Sequence, residues 1–129
     1  MPEPETIVYV IDDDASVRIA LERLMRSAGM EVAAFDSVGT FFEQADRERR
    51  ACIVADVRMP GTIGLHLPRL LAEKGWHDPV IFVTAHDTEE TRRLAQEAGA
   101  AGYFRKPVDD QALLDAIRWA LRPENHAAT

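Results

Sequence analysis

Polar side chains suited to phosphate chemistry stand directly after the apolar runs of this sequence. They are Asp12, Asp13 and Asp14 after the first run, Asp56 after the third, Thr84 after the fourth and Lys106 after the fifth. Carboxylates that are brought together repel one another, so at neutral pH they need protons or a cation. Oxygen ligands in small number, with room for water, suit Mg²⁺ better than zinc, which prefers nitrogen and sulfur. The residue types therefore indicate a site for a divalent cation and a phosphate group.

A carboxylate beside Mg²⁺ and the ammonium of Lys106 can act as a nucleophile toward phosphorus. The cation and the lysine would neutralise charge on the transferred oxygens, and Thr84 can donate a hydrogen bond to one of them. Each residue also has an ordinary structural explanation, because aspartates after strands often form turns or cap helices. Asp14 lies nearest the first helix and is expected to be such a cap. The combination at four strand ends favours the phosphate and metal site.

The apolar runs that carry these residues alternate with amphipathic helical patterns. Strands are predicted at residues 7–11, 32–35, 52–55, 80–83 and 101–104, and each is followed by a helical pattern, the third of which contains Pro68. Strict alternation favours a parallel sheet with helices on both faces, and right-handed crossovers make this an open doubly wound α/β fold. In such sheets ligands bind beyond the carboxyl ends of the strands, which is where the polar residues stand.

Length and composition fit one globular domain. The 129 residues are 47% hydrophobic and 29% charged, and we expect a loose N-terminus at residues 1–5, a folded domain at 6–122 and a loose tail at 123–129. No apolar run approaches the roughly 20 residues of a membrane span, so no membrane contact is expected. The single cysteine, Cys52, fits a reducing cytoplasm. The net charge of −7 repels phosphate backbones, so we expect no direct nucleic-acid binding by this segment.

In these motifs the chain resembles the receiver domain of bacterial two-component response regulators, which is CheY-like. The matching segments are VIDDD at 10–14, DVRMPG at 56–61, VTA at 83–85 and KP at 106–107, and 43 residues separate Asp13 from Asp56. The resemblance covers residues 6–122. The run DVRMP looks most like the FixJ/NarL-like branch, which is often joined to helix-turn-helix output domains. The resemblance implies a flavodoxin-like five-stranded parallel sheet of order 2-1-3-4-5 with five helices.

The resemblance also implies which residues hold the metal and the phosphoryl group. Asp56 is the expected phosphoacceptor. Asp13 and Asp56 are expected to bind Mg²⁺ or Mn²⁺ directly, and Asp12 mostly through water. The backbone carbonyl of Arg58 is expected to be a further metal ligand.

A second group of residues is expected, from the same resemblance, to respond to the phosphoryl group. Thr84 would be the switch hydroxyl, and Ala85 the small neighbour that leaves room for phosphate. Tyr103 matches the aromatic switch position, and half-buried strand packing is a compatible explanation for it. Lys106 would pair with Asp56 at rest and with the phosphoryl group afterwards, and the Lys106–Pro107 peptide is expected to be cis.

The function implied by the resemblance is a phosphorelay switch rather than an enzyme with a separate substrate. A sensor histidine kinase or a histidine phosphotransfer protein would supply the phosphoryl group, and the domain would catalyse its own phosphorylation and dephosphorylation. A homodimer would use the fourth helix, the fifth strand and the fifth helix, with Trp119 as an anchor or packed on the helix end. In a longer protein the switch would regulate transcription.

Three features depart from the usual receiver pattern. Pro68 predicts a late start or a bend in the third helix. The segment 61–64 replaces the usual polar loop, and exposure of Ile63 is expected. His86 lies near the rim of the site, as an ordinary loop residue or as one that tunes the lifetime of the phosphate.

Two other functions stay open as alternatives. A haloacid-dehalogenase-like phosphohydrolase also uses an aspartate on a doubly wound sheet, but it needs a second acid two residues after the nucleophile, where this sequence has Arg58. A non-phosphorylated pseudo-receiver would serve only as a docking module, and the complete residue set argues against it. A nucleotide-binding Rossmann domain is disfavoured, because the first strand-to-helix turn holds acids instead of glycines.

Overall fold

A five-stranded parallel sheet forms the centre of the computed structural model. The structure describes residues 5–59 and 62–125, and for residues 59, 62 and 63 it describes the backbone alone. The strands along the chain are β1 (Thr6–Ile11), β2 (Val32–Phe35), β3 (Arg50–Ala55), β4 (Arg58–Met59), β5 (Thr62–Ile63), β6 (Val80–Thr84) and β7 (Gly102–Arg105). The large sheet has the order β2-β1-β3-β6-β7. Numbered among its own five strands this is 2-1-3-4-5, so the predicted doubly wound fold is confirmed.

The five predicted helices are all present. They are α1 (Ala15–Ser27), α2 (Val38–Gln44), α3 (Leu67–Glu73), α4 (Glu89–Glu97) and α5 (Asp110–Ala120). Four of them begin after a polar residue in extended conformation whose side-chain oxygen accepts a hydrogen bond from a backbone N–H of the first turn, and these residues are Asp14, Ser37, Thr88 and Asp109. Asp14 is therefore the helix cap that its position predicts. Within the described residues no helix is long and apolar enough to cross a membrane.

Two separate cores cover the two faces of the sheet. Alternate residues of β1 point to opposite faces, so Tyr9 packs with α2, α3 and α4 while Val8 packs with α1 and α5. Phe41 of α2 is fully buried in the first core, where its ring contacts those of Tyr9, Phe35, Phe42 and Trp76. Because both faces of the strands are packed, the carboxyl ends of β1, β3, β6 and β7 are held rigidly beside one another.

The segment after β3 contains an element that the sequence did not predict. β4 and β5 pair antiparallel as a separate two-stranded sheet, with Arg58 opposite Ile63, in addition to the five predicted strands of the large sheet. Two-residue strands are too short to show an alternating pattern. The expected exposure of Ile63 concerns a side chain outside the described residues. A 3₁₀ turn (Gly64–His66) precedes α3, which has Pro68 in its first turn, so the predicted late start of this helix is confirmed.

The two chain ends lie partly outside the described residues. Residues 1–4 and 126–129, expected to be loose, fall outside them. Pro123–Asn125 form a short 3₁₀ turn, and the Asn125 side chain donates a hydrogen bond to the carbonyl of Trp119 at 2.6 Å.

Gly64 packs against the backbone that carries Asp56. Its N–H donates to the carbonyl of Val57 at 2.7 Å. A Cβ atom on Gly64 would overlap the backbone carbonyl oxygen of Asp56 and lie 3.0 Å from that of Val57. Backbone atoms cannot rotate away as a flexible side chain can, so this position requires glycine for lack of space.

We therefore expect Gly64→Ala to destabilise the protein by about 1–3 kcal/mol, the usual cost of overpacking. Gly39→Ala is the matched control, because the only atom near its added Cβ is a side-chain oxygen at 3.9 Å and Gly39 lies in α2. The control should be neutral or stabilising by up to about 1 kcal/mol. Urea unfolding followed by circular dichroism measures both. Equal stability of the two variants would show that the segment after β3 moves freely.

Truncation of Phe41 tests the aromatic core on one face of the sheet. Phe41→Ala should lower the free energy of unfolding by about 3–5 kcal/mol, because the ring is fully buried among other rings. Ile19→Ala, at a side chain that is 49% exposed on α1, should change it by less than about 1 kcal/mol. Urea titration of the two variants compares them directly, and a similar loss in both contradicts the assignment of this core.

Candidate functional site

Three carboxylates meet at the carboxyl ends of β1 and β3. These strands pair with Ile11 opposite Ala55, so the next residues, Asp12 and Asp56, are neighbours across the sheet. Asp12 is 2% exposed and Asp56 9% exposed, whereas Asp13 is exposed. One carboxylate oxygen from each of the three lies within 4.8 Å of the others. The sheet therefore brings Asp56 beside Asp12 and Asp13, although Asp56 follows Asp13 by 43 residues in the sequence.

Lys106 faces this acidic cluster from the end of β7. Its Nζ lies 2.9 Å from Oδ2 of Asp12 and 3.1 Å from Oδ2 of Asp56. Burial disfavours the ammonium, but the hydrogen bonds and negative charges of Asp12 and Asp56 outweigh it and raise the pKa of Lys106. The lysine is therefore a cation throughout the neutral range. The Lys106–Pro107 peptide is cis.

The two buried carboxylates are also fixed by the backbone that follows each of them. Oδ1 of Asp12 accepts a hydrogen bond from the N–H of Asp14 at 2.9 Å. Oδ1 of Asp56 accepts one from the N–H of Arg58 at 3.1 Å. In both residues one oxygen is therefore held by the local loop and the other by Lys106. Such two-point fixing orients both carboxylates, one oxygen through the local backbone and the other through the Lys106 side chain.

The donor set fits a hard divalent cation. The ammonium of Lys106 contacts two of the three carboxylates, and among the described residues the side chain of Asp13 has neither a hydrogen bond nor an ion pair. An unpaired carboxylate beside two others is a ready ligand, and the cluster offers oxygen without sulfur or imidazole. Asp12, Asp13 and Asp56 are thus the residues that could hold Mg²⁺ or Mn²⁺. The N–H of Arg58 is at the site, and the role of its carbonyl stays a prediction.

The remaining predicted residues flank the acidic cluster on β6 and β7. Thr84 ends β6 fully buried, and its hydroxyl accepts a hydrogen bond from the N–H of His86 at 2.9 Å. The carbonyl of Thr84 accepts one from the N–H of Lys106 at 2.8 Å, which ties the two strand ends together. Ala85 is exposed directly after Thr84, and His86 is exposed as well. The structure thus places Thr84 and Lys106 together, with Ala85 at the rim.

Tyr103 makes a contact that the sequence did not predict. Its ring is half-buried on β7, and its hydroxyl donates to Oδ1 of Asp87 at 3.1 Å. The same oxygen accepts from Nε of Arg92 at 2.8 Å, and this hydrogen bond keeps the pKa of Asp87 low. Burial, together with the hydrogen bond and charge of Asp87, raises the pKa of Tyr103 to about 12. No local pattern in the sequence marks Asp87 as the partner of Tyr103, because the two residues lie 16 positions apart and Asp87 stands in the loop after β6.

The cluster as a whole can perform nucleophilic chemistry on phosphorus. The carboxylate of Asp56 is oriented by the N–H of Arg58, and the Nζ of Lys106 lies 3.1 Å from its Oδ2. Thr84 presents a hydroxyl on the adjacent strand end. A nucleophile, a fixed cation, a hydroxyl donor and a set of metal ligands are the components that phosphoryl transfer needs.

Residues 8–118 match the family model of the response regulator receiver domain. The chain is 39% identical over 122 residues to "Response regulator protein TmoT" of Ectopseudomonas mendocina, covering 95% of this chain and 56% of that protein. It is 41% identical over 119 residues to "Transcriptional regulatory protein FixJ" of Azorhizobium caulinodans, covering 92% of this chain and 56% of that protein.

Solved structures agree with this result. The crystal structure of FixJ-N superposes with a TM-score of 0.86 at 29% identity and covers all of both chains. The structure of the response regulator StyR gives a TM-score of 0.79 at 43% identity, over 90% of this chain and 59% of that one. The chain spans little more than half the length of the curated relatives that it matches. It belongs to the family of response regulator receiver domains.

Proposed function

We propose that this domain is a phosphorylation switch in which Asp56 accepts a phosphoryl group from phosphohistidine. The observation that carries the proposal is the convergence of Asp12, Asp13 and Asp56 at one edge of the sheet, where Lys106 contacts Asp12 and Asp56. Membership of the receiver family supports the same chemistry. The donor would be a sensor histidine kinase or a histidine phosphotransfer protein.

The transfer follows from the positions of the side chains. A carboxylate oxygen of Asp56 attacks phosphorus, the P–N bond of phosphohistidine breaks, and its electron pair stays on the imidazole. The Arg58 N–H prevents free rotation of the carboxylate, which keeps it in line for attack. Lys106 then donates to the oxygens of the transferred group. When bound by Asp12, Asp13, Asp56 and the carbonyl of Arg58, Mg²⁺ or Mn²⁺ would supply positive charge that offsets the charges of the acids and of the phosphoryl oxygens.

The new phosphoryl group would change which contacts are favourable nearby. Thr84 would give up the His86 N–H and donate its hydroxyl to a phosphoryl oxygen, and Tyr103 would move into the space that is released. Each contact differs between the two states, as any shift of population requires. The acyl phosphate on Asp56 is open to water, so the domain would also catalyse its own dephosphorylation and is not an enzyme with a separate substrate.

The output of the switch is proposed to come from another part of a longer protein. The matched segment covers only 56% of the TmoT and FixJ relatives, and some relatives are named transcriptional regulatory proteins. We therefore place this domain in the cytoplasm, as the input part of a transcriptional regulator. A homodimer would form through α4, β7 and α5, a face on which Trp119 is 52% exposed. The segment itself would bind neither nucleic acid nor membrane.

The alternative functions have less support in the structure. A haloacid-dehalogenase-like phosphohydrolase would place an acid two residues after Asp56, where Arg58 contributes only its N–H to the nucleophile. A pseudo-receiver would need an incomplete site, whereas here all the predicted polar groups lie at one edge of the sheet.

Replacement of the phosphoacceptor is the direct test. With Mg²⁺ and acetyl phosphate, the unchanged protein should gain one phosphoryl group per chain, and Asp56→Asn should gain none, because an amide is not a nucleophile of this kind. Intact-protein mass spectrometry measures the gain. Asp14→Asn is the matched control, because asparagine also caps helices and Asp14 lies outside the acidic cluster. Equal labelling of Asp56→Asn and the unchanged protein would remove Asp56 from its assigned role.

The metal ligands have a test of their own. Asp13→Asn should weaken binding of Mg²⁺ by at least about tenfold, because it removes the one carboxylate of the cluster that has no other partner. Isothermal titration calorimetry with MgCl₂ measures the affinity. Asp14→Asn again serves as the neighbouring control and should bind Mg²⁺ within about twofold of the unchanged protein. Unaltered affinity in Asp13→Asn would place the cation elsewhere.

A further inference from the structure

A polar bridge joins β7 to α4 outside the acidic cluster. The hydroxyl of Tyr103 donates to Oδ1 of Asp87 at 3.1 Å, and Nε of Arg92 donates to the same oxygen at 2.8 Å. The Arg92 Nη2 lies 3.5 Å from Oδ2. The Asp87 side chain is 14% exposed, so most of its carboxylate is shielded from water by these partners. We refer to these three side chains as the Asp87 bridge.

Two members of the Asp87 bridge, Asp87 and Tyr103, lie close in the chain to residues of the candidate site. Asp87 follows Thr84 by three residues, and the hydroxyl of Thr84 holds the intervening loop by accepting from the N–H of His86 at 2.9 Å. Tyr103 precedes Lys106 by three residues on β7. A change in the partner of Thr84 therefore releases His86 and acts directly on the residue that holds Tyr103.

The third member of the bridge links it to the outer surface of a helix. Arg92 lies in α4, and its side chain is 58% exposed. The loop between β6 and α4 is thus fastened at one end by Thr84 and at the other by the pair of Asp87 and Arg92. Movement of this loop would shift Tyr103. It would at the same time shift the guanidinium of Arg92 on the outer surface of α4.

We propose that Asp87, held by Arg92, is a positioning residue that keeps Tyr103 in its unphosphorylated position and so opposes switching. This inference rests on the proposed function of Asp56 as phosphoacceptor. The bridge stabilises the state in which Thr84 contacts His86, and a contact that stabilises one of two states lowers the population of the other. Removal of the bridge should therefore raise the apparent affinity for a phosphoryl mimic by about three- to tenfold, as expected for the loss of one typical intramolecular hydrogen bond.

The bridge itself can be observed before any ligand is added. The chain has two tyrosines, so a protein labelled with 3-fluorotyrosine gives two ¹⁹F resonances, and Tyr9→Phe identifies that of Tyr103. Asp87→Ala should shift the Tyr103 resonance toward that of free tyrosine. Arg93→Ala is the matched control, because Arg93 makes an exposed ion pair with Glu97 on the same helix at 2.9 Å. That variant should leave the Tyr103 resonance unchanged.

The effect on switching is measured with beryllofluoride and Mg²⁺, followed by the amide resonances of residues 84–88. Tyr103→Phe and Asp87→Ala should each tighten binding about three- to tenfold. The double variant should gain no more than either single variant, because both remove the same contact. Arg93→Ala should bind like the unchanged protein.

The outcomes separate this inference from the function on which it depends. If the unchanged protein binds beryllofluoride and both single variants bind it equally or less tightly, the Asp87 bridge does not oppose switching and the inference is overturned. Additive effects in the double variant also overturn it. If the unchanged protein gives no response to beryllofluoride, the proposed function fails first, and the inference fails with it.

Discussion

This structure depends on the pairing of two buried carboxylates, those of Asp12 and Asp56, with the single ammonium of Lys106. Asp12 and Asp56 are almost fully buried and lie at adjacent strand ends, where two unpaired carboxylates would repel each other in a poorly solvated place. Lys106 contacts both, at 2.9 and 3.1 Å. One positive charge is thus divided between two negative ones, and Asp13 adds a third acid to the same cluster. The cluster retains an excess of negative charge, which is why it fits an added cation.

The two cores on opposite faces of the sheet make this arrangement of charge possible. The sheet is packed on one face by α2, α3 and α4 and on the other by α1 and α5. Close packing on both faces prevents the strand ends from moving apart to relieve repulsion. The backbone contributes directly as well, since the N–H groups of Asp14 and Arg58 hold one oxygen of each buried carboxylate. Gly64 leaves the space that the Asp56 segment needs for this conformation.

Much of the fold and of the site could be predicted because both follow from periodic patterns. Alternation of apolar runs and helices identifies the parallel sheet, and a parallel sheet collects the residues that follow its strands at one edge. Asp12, Asp56 and Lys106 therefore came together as the sequence indicates. The hairpin of β4 and β5 has too few residues for a pattern, and the pairing of Tyr103 with Asp87 joins residues 16 positions apart through loop geometry. Such contacts depend on exact distances that no sequence periodicity records.

The division between a rigid sheet and a polar loop explains how a change of charge at Asp56 could act at a distance. The packed cores on either side of β6 and β7 resist small displacements, because any shift would open voids or cause overlap. The loop between β6 and α4 is held differently, by a few polar contacts of Thr84 and Asp87. Exchanging one hydrogen-bond partner for another costs far less free energy than repacking a core. A conformational change that starts at the acidic cluster should therefore pass through this loop. It would first reach the surface of α4 at the exposed guanidinium of Arg92.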